Sequence, residues 1–138
     1  MKRFKWVLLV VIIVGLGCAT APTKPISQSD LPGLIGMWRG YMTVPAYGQT
    51  NQSADFRSSV ELEIFNSSLK GRLTRFFGKS QTERYSFPGK IEDGRLVAYW
   101  KNGGWMKMNL RQGNAKMELE GDYEFPRISG SIVLKKVQ

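Results

Sequence analysis

The chain is 138 residues long, room for one domain built on a single hydrophobic core. It contains no histidine, which removes the usual general base, the Ser-His-Asp arrangement and the commonest metal ligand. A formal charge of +9, from 20 basic and 11 acidic residues, suits anionic partners such as nucleic acid, anionic lipid head groups or acidic glycans.

The first element reads as an export signal. Lys2, Arg3 and Lys5 precede an apolar run, Trp6 to Leu16, and small residues follow it. The run falls short of the about 20 apolar residues that span a bilayer comfortably. Gly15-Leu16-Gly17-Cys18 resembles a bacterial lipobox, with Gly15 standing where that family usually has leucine. Cys18 is the only cysteine of the chain, and lipidation of its sulfur would explain both its solitude and its position. The resemblance implies that residues 1–17 are a lipoprotein signal peptide, helical before cleavage. It implies a mature chain that begins at Cys18 with a diacylglycerol thioether and an acylated amine, with palmitate-type chains. The membrane is then a partner reached through Cys18. Ala19, not aspartate, follows the cysteine, which implies the cell outer membrane facing the periplasm if the cell is Gram-negative. An uncleaved membrane anchor is the alternative reading. Export sets nucleic acid aside as a partner. Without Lys2, Arg3 and Lys5 the 20 basic residues become 17 against 11 acidic, a balance of +6. That charge suits a solvated basic face beside a negatively charged membrane.

Residues 18–33 carry Pro22, Pro25 and Pro32 among Thr, Ser, Gln and Lys, without hydrophobic periodicity, and read as a lipidated cysteine followed by a flexible tether. Residues 34–138 then form one all-β domain. Short alternating segments predict eight strands: Met37–Val44, Ser58–Phe65, Leu69–Phe77, Thr82–Ile91, Arg95–Lys101, Trp105–Arg111, Ala115–Tyr123 and Ile128–Val137. Between them lie turn-forming groups, among them Asn66-Ser67-Ser68, Asp93-Gly94 and Asn102-Gly103-Gly104. Pro88 requires a bulge or an edge position in the fourth strand.

Each strand has an apolar side and a largely polar side. The apolar side includes Trp38, Met42, Leu62, Leu73, Tyr85, Phe87, Trp100, Met106, Met108, Met117 and Tyr123, with glycines at positions 40, 71, 121 and 130. Consecutive hairpins favour an eight-stranded antiparallel up-and-down barrel, whose closure removes exposed edges. A β-sandwich is the alternative.

Gly36-Met37-Trp38, after the short turn Leu31–Ile35, resembles the Gly-x-Trp that opens the first strand of the lipocalin-like (calycin) barrels. The long segment from Pro45 to Arg57, with Tyr47 and Phe56, sits where those barrels carry a loop over the open mouth. The resemblance implies that Trp38 closes the barrel floor against a cation of the last strand, for which Lys136 is the candidate. It covers Leu31 to Lys136 in architecture but only Gly36-x-Trp38 as a motif.

Two functions follow. In the first, the protein is a lipid-anchored envelope binding protein holding a small apolar molecule or lipid inside the barrel. Trp38, Met42, Tyr47, Phe56, Tyr85, Phe87, Trp100, Met106, Met108 and Met117 would line the site. In the second, the barrel is solid, and its outer aromatics Tyr41, Phe65, Phe76, Tyr99 and Trp105 dock an envelope protein or serve a structural role. No catalysis is expected, and no cofactor or metal is called for. Glu61/Glu63 and Glu118/Glu120/Asp122 each share the outer face of one strand, an arrangement suited to countering neighbouring Lys and Arg across the ladder.

Overall fold

The computed structural model describes residues 22–44, 56–114 and 116–138. The expected signal helix, Cys18 and Tyr47 lie outside these residues, as does the side chain of Phe56. The described chain is all-β with one helix of a single turn, α1 (Leu31–Leu34). Its strands in chain order are β1 (Thr23–Lys24), β2 (Gly36–Val44), β3 (Phe56–Ile64), β4 (Lys70–Phe77) and β5 (Gln81–Glu92). They continue with β6 (Arg95–Tyr99), β7 (Trp105–Gly113), β8 (Lys116–Phe125) and β9 (Ile128–Lys136).

Strands β2 to β9 pair antiparallel with their sequence neighbours. The sheet closes where β2 meets β9, from Trp38↔Lys136 to Thr43↔Ser131. The result is a closed eight-stranded antiparallel barrel with one added strand, β1. Alternation drives it: in β7, Met106, Met108 and Leu110 are buried while Trp105, Lys107 and Asn109 stay partly exposed. Closure satisfies strand edges that an open sheet would leave unpaired.

Local chemistry explains the hairpins and the strand ends. Asp93 and Gly94 both take positive φ, 51° and 70°, which suits the tight β5–β6 turn. Leu69 also adopts positive φ, 59°, so the strand expected to begin there begins at Lys70. Its side chain is nonetheless buried, and its carbonyl accepts from Gly89 N at 2.9 Å. Pro88 is the last β5 residue paired with β4, and from Gly89 onward β5 pairs with β6. The imino acid thus stands where the strand changes partner, a position that tolerates its missing N–H.

Thr23 to Gly33, read from sequence as part of a flexible tether, belongs to the folded unit. Strand β1 pairs with β7 through Thr23↔Arg111 and Lys24↔Leu110, beyond the start of the short β6. Ile26 is buried, and its N–H donates to Gly94 O at 2.8 Å. Asp30 accepts from Ser27 N at 2.8 Å in a capping box and pairs with Lys24 Nζ at 2.6 Å.

At the floor, α1 stands beside the start of β2. Trp38 is fully buried, and its indole N–H donates to Leu34 O at 2.9 Å. Lys136 Nζ lies 4.9 Å from the Trp38 ring centroid and donates to the carbonyls of Gly33 and Ile35. Burial pushes the Lys136 ammonium below the ordinary lysine value. The ring face and the two carbonyls compensate the ammonium for lost water.

Candidate functional site

The opposite end of the barrel holds an aromatic layer. Tyr85 stacks on Phe125 at 4.9 Å between centroids, and Trp100 tilts against Phe125 at 5.1 Å. Phe87 meets Trp100 edge-on at 5.8 Å, and Tyr123 packs 5.6 Å from Phe125. These rings come from β5, the β6–β7 turn and β8, brought together by closure.

Arg75 lies beside this layer. Inward alternation along β4 runs Gly71, Leu73, Arg75, Phe77, so the pattern that buries Leu73 also points a guanidinium into the barrel. Arg75 is only 5% exposed. It donates to Ser58 Oγ at 3.2 Å, and its guanidinium carbon lies 4.2 Å from the Phe77 ring centroid. Among the described residues no carboxylate lies within 4.0 Å of it, and its Nε–H has no acceptor. Taking such an ion out of water costs several kcal/mol. One ring face restores about 0.5–2 kcal/mol, and a hydrogen bond from a charged donor about 1.5–3 kcal/mol.

A cleft of about 420 Å³ opens at this end, lined by Arg75, Phe77, Glu83, Tyr85, Asn102, Phe125, Pro126, Arg127 and Ile128. Tyr85 donates its hydroxyl to Glu83 at 2.5 Å. Burial, and then that bond, push the Tyr85 hydroxyl up to about 12. Burial likewise raises Tyr123, whose hydroxyl donates to Thr43 O at 3.3 Å. Trp100 Nε1 is a second buried donor without an acceptor among the described residues. The layer is therefore rich in donors and poor in acceptors.

Among the described residues, those expected to line one interior cavity are divided between a continuous core and two separate clefts. Trp38, Met42, Met106 and Met108 are completely buried in a continuous core, and Phe87 and Trp100 belong to the same core. Tyr85 lines the mouth cleft. Met117 lines a separate cleft of about 410 Å³ at the floor, with Lys116, Glu118, Lys135, Lys136 and Gln138. Inward bulk fills the barrel, and the inward glycines do not create space. A Cβ on Gly40 would overlap the carbonyl oxygen of Val133, and one on Gly121 that of Lys107. These glycines permit the close strand approach that coiling needs.

The outer face is charge-paired. Arg39 meets Glu61 at 2.9 Å, Arg72 meets Glu63 at 2.9 Å, and Arg111 pairs with Glu120. Cations also cover four of the five outward aromatics: Arg57 over Tyr41, Arg72 over Phe65, Lys90 over Tyr99 and Lys107 over Trp105. Tyr99 and Trp105 are direct cross-strand partners, the one place where two of these rings adjoin in register.

Arg75 is the candidate site residue that a hydrophobic reading of the chain does not single out. Its signal was positional: it falls on the inward beat of β4, between Leu73 and Phe77. No known protein family, curated protein or solved structure matches the chain.

Proposed function

We propose that this protein is a lipid-anchored envelope binding protein whose ligand site is the barrel mouth. The observation that carries the reading is the buried Arg75, short of acceptors among the described residues, beside an apolar cleft walled by Phe77, Tyr85, Phe125 and Ile128. A cleft with a few convergent polar groups is the usual form of a small-molecule site. Because the core beneath is filled, a small apolar or amphipathic molecule sits at the rim and does not thread the barrel. The chain has no histidine, and its one cysteine is assigned to the lipid, so the role is binding and not catalysis.

The lipocalin-like reading rests on Gly36-x-Trp38 and the closed barrel. The lipoprotein reading rests on the lipobox-like Gly15 to Cys18. Strand β1 enters from the floor end, since Thr23 lies opposite Arg111 and Lys24 opposite Leu110. An extended stretch from Cys18 to Thr23 reaches at most about 18 Å. A lipid on Cys18 then holds the floor towards the bilayer and turns the mouth towards the aqueous compartment. In a Gram-negative cell this is the periplasmic side of the outer membrane.

Nile red added to isotope-labelled protein should shift the amide resonances of Tyr85, Phe125 and Ile128. Shifts confined to the outer face, or none, would remove the mouth site. Cys18→Ser should release the protein from membranes and leave the precursor uncut; unchanged attachment and size would remove the lipid anchor. The adjoining, partly exposed Tyr99 and Trp105 favour a second reading, a solid barrel docking an envelope protein. Its test is cross-linking in cells, in which a captured partner should be lost with Trp105→Ala.

A further inference from the structure

The mouth cleft brings two kinds of surface together. One is apolar, from Phe77, Phe125 and Ile128. The other is cationic, from Arg75 within the barrel and Arg127 on the rim. Glu83 is the opposing charge at the cleft, and its carboxylate already accepts the Tyr85 hydroxyl. Arg75 is more than nine-tenths buried and retains an unused Nε–H among the described residues. A guanidinium has five N–H donors in a planar fork and no acceptor, so only a group bearing lone pairs completes it. An anion suits it best, because a charge-assisted bond also cancels the buried charge.

We infer that the mouth selects a short carboxylate with an apolar or aryl tail, whose oxygens meet the Arg75 guanidinium while the tail lies against Phe77, Phe125 and Ile128. The inference rests on the mouth-binding reading and supplies its ligand class. Trp38, Met42, Tyr123 and their neighbours leave no path down the barrel, so a long acyl chain lies outside that class. A carboxylate without a tail forfeits the apolar wall, and a tail without a carboxylate leaves Arg75 as it is.

The test uses the full chain carrying Cys18→Ser and three probes: 4-phenylbutyrate, 4-phenylbutan-1-ol and acetate. Affinities come from resonance shifts. The acid should bind about tenfold or more tighter than the alcohol, as a charged hydrogen bond implies, and acetate should bind far more weakly than either. Arg75→Met should abolish the preference for the acid while keeping the affinity for the alcohol. Should that variant fail to fold, the Arg75 Nε resonance of the unaltered mouth decides: it should move with the acid and stay still with the alcohol. Equal affinity for acid and alcohol would overturn anion selection and leave mouth binding standing. Binding of neither would overturn mouth binding itself. A preference that survives Arg75→Met, or an Nε resonance indifferent to the acid, would also overturn the inference.

Discussion

Lys136 stands directly across the β2–β9 seam from Trp38, with its ammonium 4.9 Å from the indole centroid. The two residues lie near opposite ends of the described chain, so their contact joins the first barrel strand to the last. Lys136 also donates to Gly33 O and Ile35 O, while Trp38 donates to Leu34 O. Together they fix α1 to the floor. Lys136→Met keeps the stem but removes the cation, and should lower the unfolding free energy by about 1–3 kcal/mol. Urea unfolding of that variant, of Trp38→Leu and of the double variant gives the coupling between them. A coupling of about 0.5–2 kcal/mol is expected. Additive effects would mean that the lysine serves the carbonyls alone.

The N-terminal clasp should respond to acid. Asp30 is lowered from 3.8 to about 2, first by its bond to Lys24 and then by its bonds to Ser27. A carboxylate with a depressed folded value stabilises above its unfolded value and loses that contribution as pH falls through the folded one. The contribution is thus full above pH 3.8 and lost as the pH drops to about 2. Asp30→Asn should lower the melting temperature at neutral pH, and the gap from wild type should close across that acid range. A gap that persists at the lowest pH would show that the asparagine disturbs the cap by its shape and not its charge.

How far the fold could be read from the chain varied with the kind of information each feature needs. Strand boundaries follow from alternation and turn residues, and the expected limits fall within two residues of the observed ones. Leu69 departs because its left-handed backbone, φ 59°, is set by the Asn66–Leu69 turn, where its N–H donates to Asn66 O, and not by hydrophobicity. Strand β1 was invisible because two residues cannot show a period; its partner is the part of β7 that β6 is too short to reach. Arg75 was legible by phase but not by type, since its charge argued against the inside. Interior volume was not legible at all. Whether Gly40 and Gly121 leave room or admit a neighbouring backbone depends on how strongly the sheet coils.

That last distinction gives a direct test. If Gly40 bordered open space, Gly40→Ala would cost about 1 kcal/mol or less. A Cβ there would instead overlap Val133 O and crowd the Leu134 backbone, so β2 and β9 would have to part at the barrel seam. Overpacking of this kind costs about 1–3 kcal/mol, occasionally more, and the loss should appear as a lower urea midpoint. Gly78→Asn is the control, because Gly78 has φ 60° with nothing within 4 Å of a Cβ, and asparagine tolerates that conformation. A harmless Gly40→Ala would mean that the seam is looser than its backbone spacing implies.

Arg75→Met should have an effect of unusual sign. Most substitutions of a buried residue destabilise, because they leave a cavity or strand a partner. Methionine fills much of the same volume, and among the described residues the groups it would strand are the Ser58 hydroxyl and the Phe77 ring face. What it removes is a buried cation with an unused donor among the described residues. Replacing buried ionic groups by apolar ones of similar volume is often neutral or stabilising by about 1–4 kcal/mol. The ligand-free variant should therefore unfold at equal or higher urea than wild type. A fixed concentration of 4-phenylbutyrate should raise the wild-type midpoint by more than the variant's, because ligand binding to the native state adds to stability by mass action and the tighter complex adds more. A protein that keeps an arginine at some cost in stability until its ligand arrives would show that ordering of midpoints. A variant much less stable than wild type would mean that Arg75 is held by contacts within the fold, with its role in packing and not in binding.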